Sequence, residues 1–202
     1  MKIIGITGPS GAGKTTVLGV LEELGAAVID CDALYHKLLQ EDAALLKSIR
    51  ARFGPAVFDG EGKLDRKALG NVVFHDPEAL SALNALTHAA VLDALDKLLA
   101  QAETEGRSAA VIDAIALIES GAAARCAVTV AVTAPADARV KRLMAREGVS
   151  EAYARARIAA QKPDQFYEEN CDFVLRNDGV RSECRQQARD LFETILHPKE
   201  DV

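Results

Sequence analysis

Apolar residues along the chain fall into two kinds of spacing. Dense apolar runs recur at KIIGIT (2–7), AAVID (26–30), SAAVID (108–113) and CAVTVAVTA (126–134), and a shorter one, the FVL of CDFVLRN (171–177), predicts a last strand. Runs of that length and density predict strands buried on both faces, as in a parallel sheet. Other stretches carry helical spacing: in KTTVLGVLEELG the apolar positions are Val17, Leu18, Leu21 and Leu24, and Gly25 stops the period. Strand, helix and strand within the first thirty residues make a βαβ unit. From Asp32 to about Arg107 no strand is predicted. Ala- and Leu-rich helical periods fill that region, broken by a Gly/Pro/Asp loop, FGPAVFDGEGKLD. Helices are predicted again from about Ala136 and from about Ser150, and SECRQQARDLFETIL closes the chain as an amphipathic helix. The expected class is α/β, one domain over 1–202 with a helical insertion at about 32–107 between the second and third strands.

Composition narrows the functions open to such a chain. With 202 residues and 49% hydrophobic content there is material for one proper core. The net charge of −6 argues against a broad nucleic-acid footprint, which needs a basic face. No run of 18 apolar residues suggests a membrane span, and the first apolar segment is too short for a signal peptide. Cys31, Cys126, Cys171 and Cys184 form no CxxC pair, a scatter that suits reduced thiols in the cytoplasm. A cytoplasmic protein with no membrane or nucleic-acid partner, monomeric or weakly homo-oligomeric, is the expectation.

The strongest chemical signal lies between the first strand and the first helix. Gly8-Pro9-Ser10-Gly11-Ala12-Gly13-Lys14-Thr15 matches GxxxxGK[ST], and it has the strand before it and the helix after it that the motif requires. Glycines let backbone N–H groups curl around phosphates, and the helix N-terminus adds partial positive charge. Lys14 should reach the β- and γ-phosphate oxygens, and the Thr15 hydroxyl should ligate Mg²⁺. Gly8, Ser10, Gly11, Ala12, Gly13, Lys14, Thr15 and Thr16 are therefore the expected ATP contacts. The fold expected is a phosphate-loop (P-loop) nucleoside-triphosphate hydrolase arrangement, three layers around a five-stranded parallel sheet, and a small kinase with a helical lid at about 139–165 fits the length. A GTPase would need an NKxD-type base reader, which the chain lacks. Its DxxG match, Asp59–Gly62, falls in the insertion and reads as a turn.

A kinase must also hold an acceptor hydroxyl in line with the γ-phosphate. Asp30 and Asp32 end the second strand, at the edge where such sheets gather ligands. Asp32 is the expected catalytic base, with an N-cap of the following helix as its bland alternative; Asp30 is expected to cap or pack. Asp113 ends the third strand in a Walker-B-like position and is a candidate for holding Mg²⁺ through water, or simply a buried strand-end carboxylate. In DARVKRLMARE, Arg139, Arg142 and Arg146 share one helix face. Arg139 reads as part of a solvated stripe, Arg142 as the cation that neutralises the transferring phosphoryl group, and Arg146 as secondary.

Taken together, these segments resemble the dephospho-coenzyme A kinase family. The likeness rests on IGITGPSGAGKTTV, LGAAVIDCDALYH, GKLDRKALGNVVFHDPEALSALNALTH, RLMAREGVSEAYARARIAAQ and CDFVLRNDG, in that order. It implies a nucleotide-kinase-like fold and transfer of the ATP γ-phosphate to the ribose 3′-hydroxyl of dephospho-coenzyme A, with Mg²⁺ as cofactor. It implies Asp32 as base, Lys14 and Thr15 on phosphates and metal, Arg142 in the lid, Arg66 and His88 near the acceptor, and Asn177 near the adenine of ATP. On the residues alone, Arg66 is a surface residue, His88 a buried helix histidine and Asn177 part of an Asn-Asp-Gly turn. The chain departs from the family pattern in three places. DAIALIESG keeps Leu117 and Glu119 but lacks a proline, His88-Ala89 replaces His-Pro and predicts a shifted helix boundary, and KPDQFYEEN after Gln161 is more acidic. The rival readings are a kinase for a nucleoside or nucleoside monophosphate, and a nucleotide-binding protein without turnover.

Overall fold

The five apolar runs become five strands: β1 (Lys2–Thr7), β2 (Ala27–Asp30), β3 (Ala109–Asp113), β4 (Val128–Thr133) and β5 (Phe173–Arg176). The computed structural model describes residues 1–197. The strands form one sheet in the order β2-β3-β1-β4-β5, with β1 parallel to both β3 and β4, and β4 parallel to β5. The chain first builds one side of β1 and later the other. The carboxyl end of β1 is thus where the winding reverses, the position at which open α/β sheets bind ligands.

The helices are α1 (Lys14–Glu23), α2 (Cys31–Glu41), α3 (Ala43–Phe53), α4 (Arg66–Val73), α5 (Pro77–Thr104), α6 (Ala136–Glu147), α7 (Glu151–Ala159), α8 (Asp164–Asn170) and α9 (Arg181–Leu196). Two compact units result: Met1–Ile29 together with the chain from Gln101 onward, and Asp30–Ala100. No helix among the described residues is long and apolar enough to cross a membrane.

In the sheet unit, Ile4, Ile6, Val111, Val130 and Val132 are fully buried between the strands and Val17, Val20 and Leu21 of α1 and Ala188 and Phe192 of α9. Each large side chain so buried contributes about 1.5–3 kcal/mol. Outside that core, Glu23 of α1 accepts from both Arg185 and Arg189 of α9. The join between β4 and β5 is polar. Asp172 Oδ2 accepts from the Thr129 N–H and hydroxyl, both at 2.7 Å, and the Asp172 N–H donates back to Thr129 Oγ1 at 3.0 Å.

The Thr129 hydroxyl, and after it the Thr129 N–H, hold the Asp172 carboxyl below the usual carboxylate range. A folded pKa below the unfolded value gives stability that is present above the unfolded pKa, about 3.9, and is lost as pH falls through the folded one. Asp172 is exposed, so solvent weakens these bonds, and Asp172→Ala is expected to cost about 0.5–1 kcal/mol near neutral pH. Melting curves should show the gap between wild type and variant narrowing as the pH drops below about 4. A gap independent of pH would rule this account out.

The insertion unit packs Leu39, Leu45, Ile49, Val57, Leu69, Val73 and Leu83 into a core of its own. Its helix starts are set by aspartates: Asp30, Asp42 and Asp65 cap α2, α3 and α4 by accepting from Ala33, Leu45, and Lys67 with Ala68. Asp59 Oδ1 accepts from the N–H groups of Glu61 and Lys63 and turns the chain between the bridged residues Phe58 and Leu64. The DxxG match is thus a turn, as its position suggests. In place of a His-Pro, His88-Ala89 lies inside α5, which runs unbroken from Pro77 to Thr104 because no proline ring interrupts it there. The acidic stretch after Gln161 contains a helix the periodicity did not predict, α8, only seven residues long.

Candidate active site

The loop between β1 and α1 is shaped by what surrounds it. Gly8 and Gly13 have φ of 136° and 105°, a region L-residues rarely adopt. Space is equally short: a Cβ on Gly8 would lie 2.1 Å from the Val132 carbonyl oxygen, and one on Gly13 would lie 2.1 Å from Asn177 Nδ2. Gly13 is the N-cap of α1 and supplies no side-chain acceptor. The N–H groups of Lys14 and Thr15, at the start of this ten-residue helix, are thus left for an anion.

Lys14 opens α1, and its Nζ stands 3.5 Å from Asp113 Oδ1 at the end of β3. Thr15 is exposed on the same turn, and the Thr16 N–H closes on the Gly13 carbonyl at 2.9 Å. A hydroxyl at Thr15 and a carboxylate at Asp113 are hard oxygen donors of the type Mg²⁺ takes. Among the described residues no group of three or more His, Cys, Asp or Glu forms a ready metal cluster, so donors from phosphate and water would complete such a site.

Behind the loop, α6 and the residue after β5 hold it from below. Arg142 Nη1 donates to the carbonyls of Gly11 and Ala12 at 3.2 and 3.1 Å, and Nη2 donates to the Asn177 carbonyl at 3.2 Å. Asn177 is buried: its Nδ2 donates to the Ala12 carbonyl at 2.7 Å, and its N–H to the Thr133 carbonyl at 2.8 Å. It is therefore no surface turn residue. Arg142, expected at the transferring phosphoryl group, has its guanidinium on the carbonyls of Gly11, Ala12 and Asn177.

Arg139 overturns its expected place more plainly. It is 5% exposed rather than part of a solvated stripe. Its Nε donates to the Ser10 carbonyl at 3.0 Å and its Nη2 to Gln161 Oε1 at 2.6 Å. Burial chiefly pulls its pKa down, opposed by Asp164 and Tyr167. Only Arg146 stands in solvent, against Glu147. Ser10, expected at the phosphates, has its N–H and hydroxyl engaged by Gln161, at 3.1 and 2.8 Å. Nothing in the spacing of the sequence singled out Gln161.

In the insertion unit Asp30 and Asp32 have separate roles. Asp30 caps α2 through Ala33 N–H at 2.8 Å, while Asp32 lies in the first turn with an exposed side chain. The N-cap alternative for Asp32 is thereby taken by its neighbour. Arg66 lines a concave pocket of about 430 Å³ with Tyr35, Lys67, Gly70 and Phe74. Burial raises the Tyr35 pKa, and the nearby Arg66 charge opposes the rise. Phe74 is 78% exposed at the pocket mouth. His88 is half-buried on α5 and does not line this pocket. Two cations and two aromatic rings around one hollow suit an anionic ligand with a planar group.

Comparison with known proteins places this arrangement among kinases. A family model described as dephospho-CoA kinase matches residues 2–183. A dephospho-CoA kinase of Geobacter sulfurreducens is 37% identical over 192 residues, covering 95% of this chain and 98% of its own. One from Moorella thermoacetica is 41% identical, covering 96% and 92%. Among solved structures, the dephospho-CoA kinase of Campylobacter jejuni superposes with a TM-score of 0.71 at 27% identity, over 99% of this chain and 100% of its own. A shikimate kinase of Acinetobacter baumannii shares the fold at 18% identity, with a TM-score of 0.53 over 100% of this chain and 96% of its own.

Proposed function

The chain belongs to the dephospho-CoA kinase family, and from that premise we propose that it transfers the γ-phosphoryl group of ATP to the ribose 3′-hydroxyl of dephospho-coenzyme A, giving coenzyme A. The observation that carries the chemistry is the glycine loop at the uncapped start of α1, with Lys14 and Asp113 set beside it. The N–H groups of that turn bind the phosphates, and Lys14 follows the charge that moves onto the bridging oxygen as the bond to the γ-phosphorus breaks. The Thr15 hydroxyl and, through water, Asp113 would hold Mg²⁺, which would supply charge neutralisation at the phosphates.

Asp32 is assigned as the base that accepts the proton of the acceptor hydroxyl. Its support is twofold: its carboxylate is exposed, and Asp30 has already satisfied the helix start. Arg66 and Lys67 are assigned to the acceptor's phosphates, and Tyr35 and Phe74 to its planar or apolar parts, on the make-up of the pocket they share. His88 remains an acceptor-side candidate from the family pattern alone. Arg142 and Asn177 are assigned to holding the loop in shape on the nucleotide side. The cytoplasm is the proposed compartment, in keeping with four cysteines outside any disulfide.

The test is ADP release from ATP and Mg²⁺ with dephospho-coenzyme A as acceptor, beside a panel of nucleosides and nucleoside monophosphates. Turnover confined to dephospho-coenzyme A, with phosphorus NMR placing the new ester on the ribose 3′-oxygen, is the expected result. Faster turnover with a nucleoside monophosphate would overturn the acceptor assignment.

A further inference from the structure

We propose that Gln161, which follows α7, is a positioning residue for nucleotide binding, and that it acts through Ser10 on the outer arm of the phosphate loop. The inference rests on the reading above that this loop binds nucleotide. Three polar atoms of Ser10 face the loop's surroundings, and all three are engaged. Gln161 Oε1 accepts from the Ser10 N–H at 3.1 Å, Gln161 Nε2 donates to Ser10 Oγ at 2.8 Å, and Arg139 Nε donates to the Ser10 carbonyl at 3.0 Å. The ring closes where Arg139 Nη2 donates to that same Gln161 Oε1 at 2.6 Å.

Several features make this ring more than a surface contact. Ser10 and Arg139 are 8% and 5% exposed, so water is poorly placed to substitute for Gln161. Gly11 presses on α6 so closely that a Cβ there would stand 2.8 Å from the Arg139 carbonyl oxygen. The inner arm of the loop has separate supports, Arg142 and Asn177, on the carbonyls of Gly11 and Ala12. Among the described residues, Gln161 is therefore the one side chain that ties both the N–H and the hydroxyl of Ser10 to the segment between α7 and α8. A loop held in shape before the ligand arrives loses less freedom on binding, and the gain appears as affinity. Because the polar atoms of Gln161 are directed at Ser10 and Arg139, the gain should not extend to the chemical step.

The experiment is a calorimetric titration with ADP and Mg²⁺, acceptor absent, on wild type, Gln161→Met, Ser10→Ala and the double variant, with steady-state kinetics alongside. Methionine keeps the length of the side chain and removes its hydrogen bonds. Gln161→Met is expected to weaken ADP binding and raise KM for ATP about tenfold, with kcat at saturating ATP within about threefold of wild type. Ser10→Ala should weaken binding about threefold, and the double variant should be no weaker than Gln161→Met, since both changes cut the same link. A lowered Tm with unchanged ADP affinity would reduce Gln161 to a structural role and overturn the proposal, as would strictly additive losses. Should Gln161→Met fail to fold, Ser10→Ala decides alone: a threefold loss supports the link, and unchanged affinity removes it. Wild type that does not bind ADP would instead strike the nucleotide reading itself.

Discussion

Asp32→Asn is expected to lower kcat by about 10²- to 10⁴-fold, the range a positioned general base supplies, while KM for ATP stays within about threefold. Asparagine keeps the size and polarity of the side chain but cannot take a proton. The structure supplies the control, because the two aspartates at this corner do different things. Asp30 accepts from the Ala33 N–H at 2.8 Å and starts α2; Asp32 is exposed in the first turn. Asp30→Ala should therefore cost about 1 kcal/mol of stability through the lost cap and leave kcat near wild type. Asp32→Asn should do the reverse. It gives up only the interaction of a carboxylate with a helix N-terminus, about 0.3–1 kcal/mol at an exposed position. Steady-state kinetics and melting curves on the same two variants separate the roles. An Asp32→Asn enzyme with wild-type kcat would remove the base assignment, and equal losses in both variants would show a shared structural effect.

The parts of this fold that were legible in the sequence are those where one local rule decides. The strands read clearly because central parallel strands are buried on both faces, so Val111, Val130 and their neighbours form dense apolar runs. The phosphate loop reads clearly because its glycines answer a backbone demand that few other residues can meet. The parts that stayed hidden are set by distant neighbours. Helical spacing put Arg139, Arg142 and Arg146 on one face, yet could not say that two of them meet the loop while the third meets solvent. One signal was available: Arg139 stands four residues before Leu143 and beside Val140, the two fully apolar positions α6 buries. A cation in line with a buried stripe requires partners. Gln161 carries no such mark, since its partner Ser10 is 151 residues away. α8 escaped because seven residues, mostly polar, span too few turns to show a period.

Lys14→Met is expected to lower kcat/KM for ATP by about 10²- to 10³-fold, the usual cost of removing one preorganised electrostatic contact to the reacting group. The fold should survive it. Lys14 Nζ stands 3.5 Å from Asp113 Oδ1, and both side chains are largely buried, 15% and 16% exposed. Losing that pair costs more than a surface ion pair would, about 1–3 kcal/mol, because Asp113 Oδ1 is itself removed from solvent. The large effect is expected in the ternary complex, where the proposed mechanism sets the same ammonium against the β- and γ-phosphates. Lys14→Arg should recover little, because a planar guanidinium does not fit where a compact ammonium follows a moving charge. Asp113→Asn should behave differently: the Mg²⁺ concentration for half-maximal rate should rise several-fold, with a smaller loss at saturating metal. The contrast between the two partners is the measurement that matters. If Lys14→Met alone shifted the Mg²⁺ requirement, the ammonium would be acting through the metal rather than on the phosphates. If Lys14→Met kept kcat/KM within about fivefold of wild type, the loop would have lost its claim to be the site of transfer.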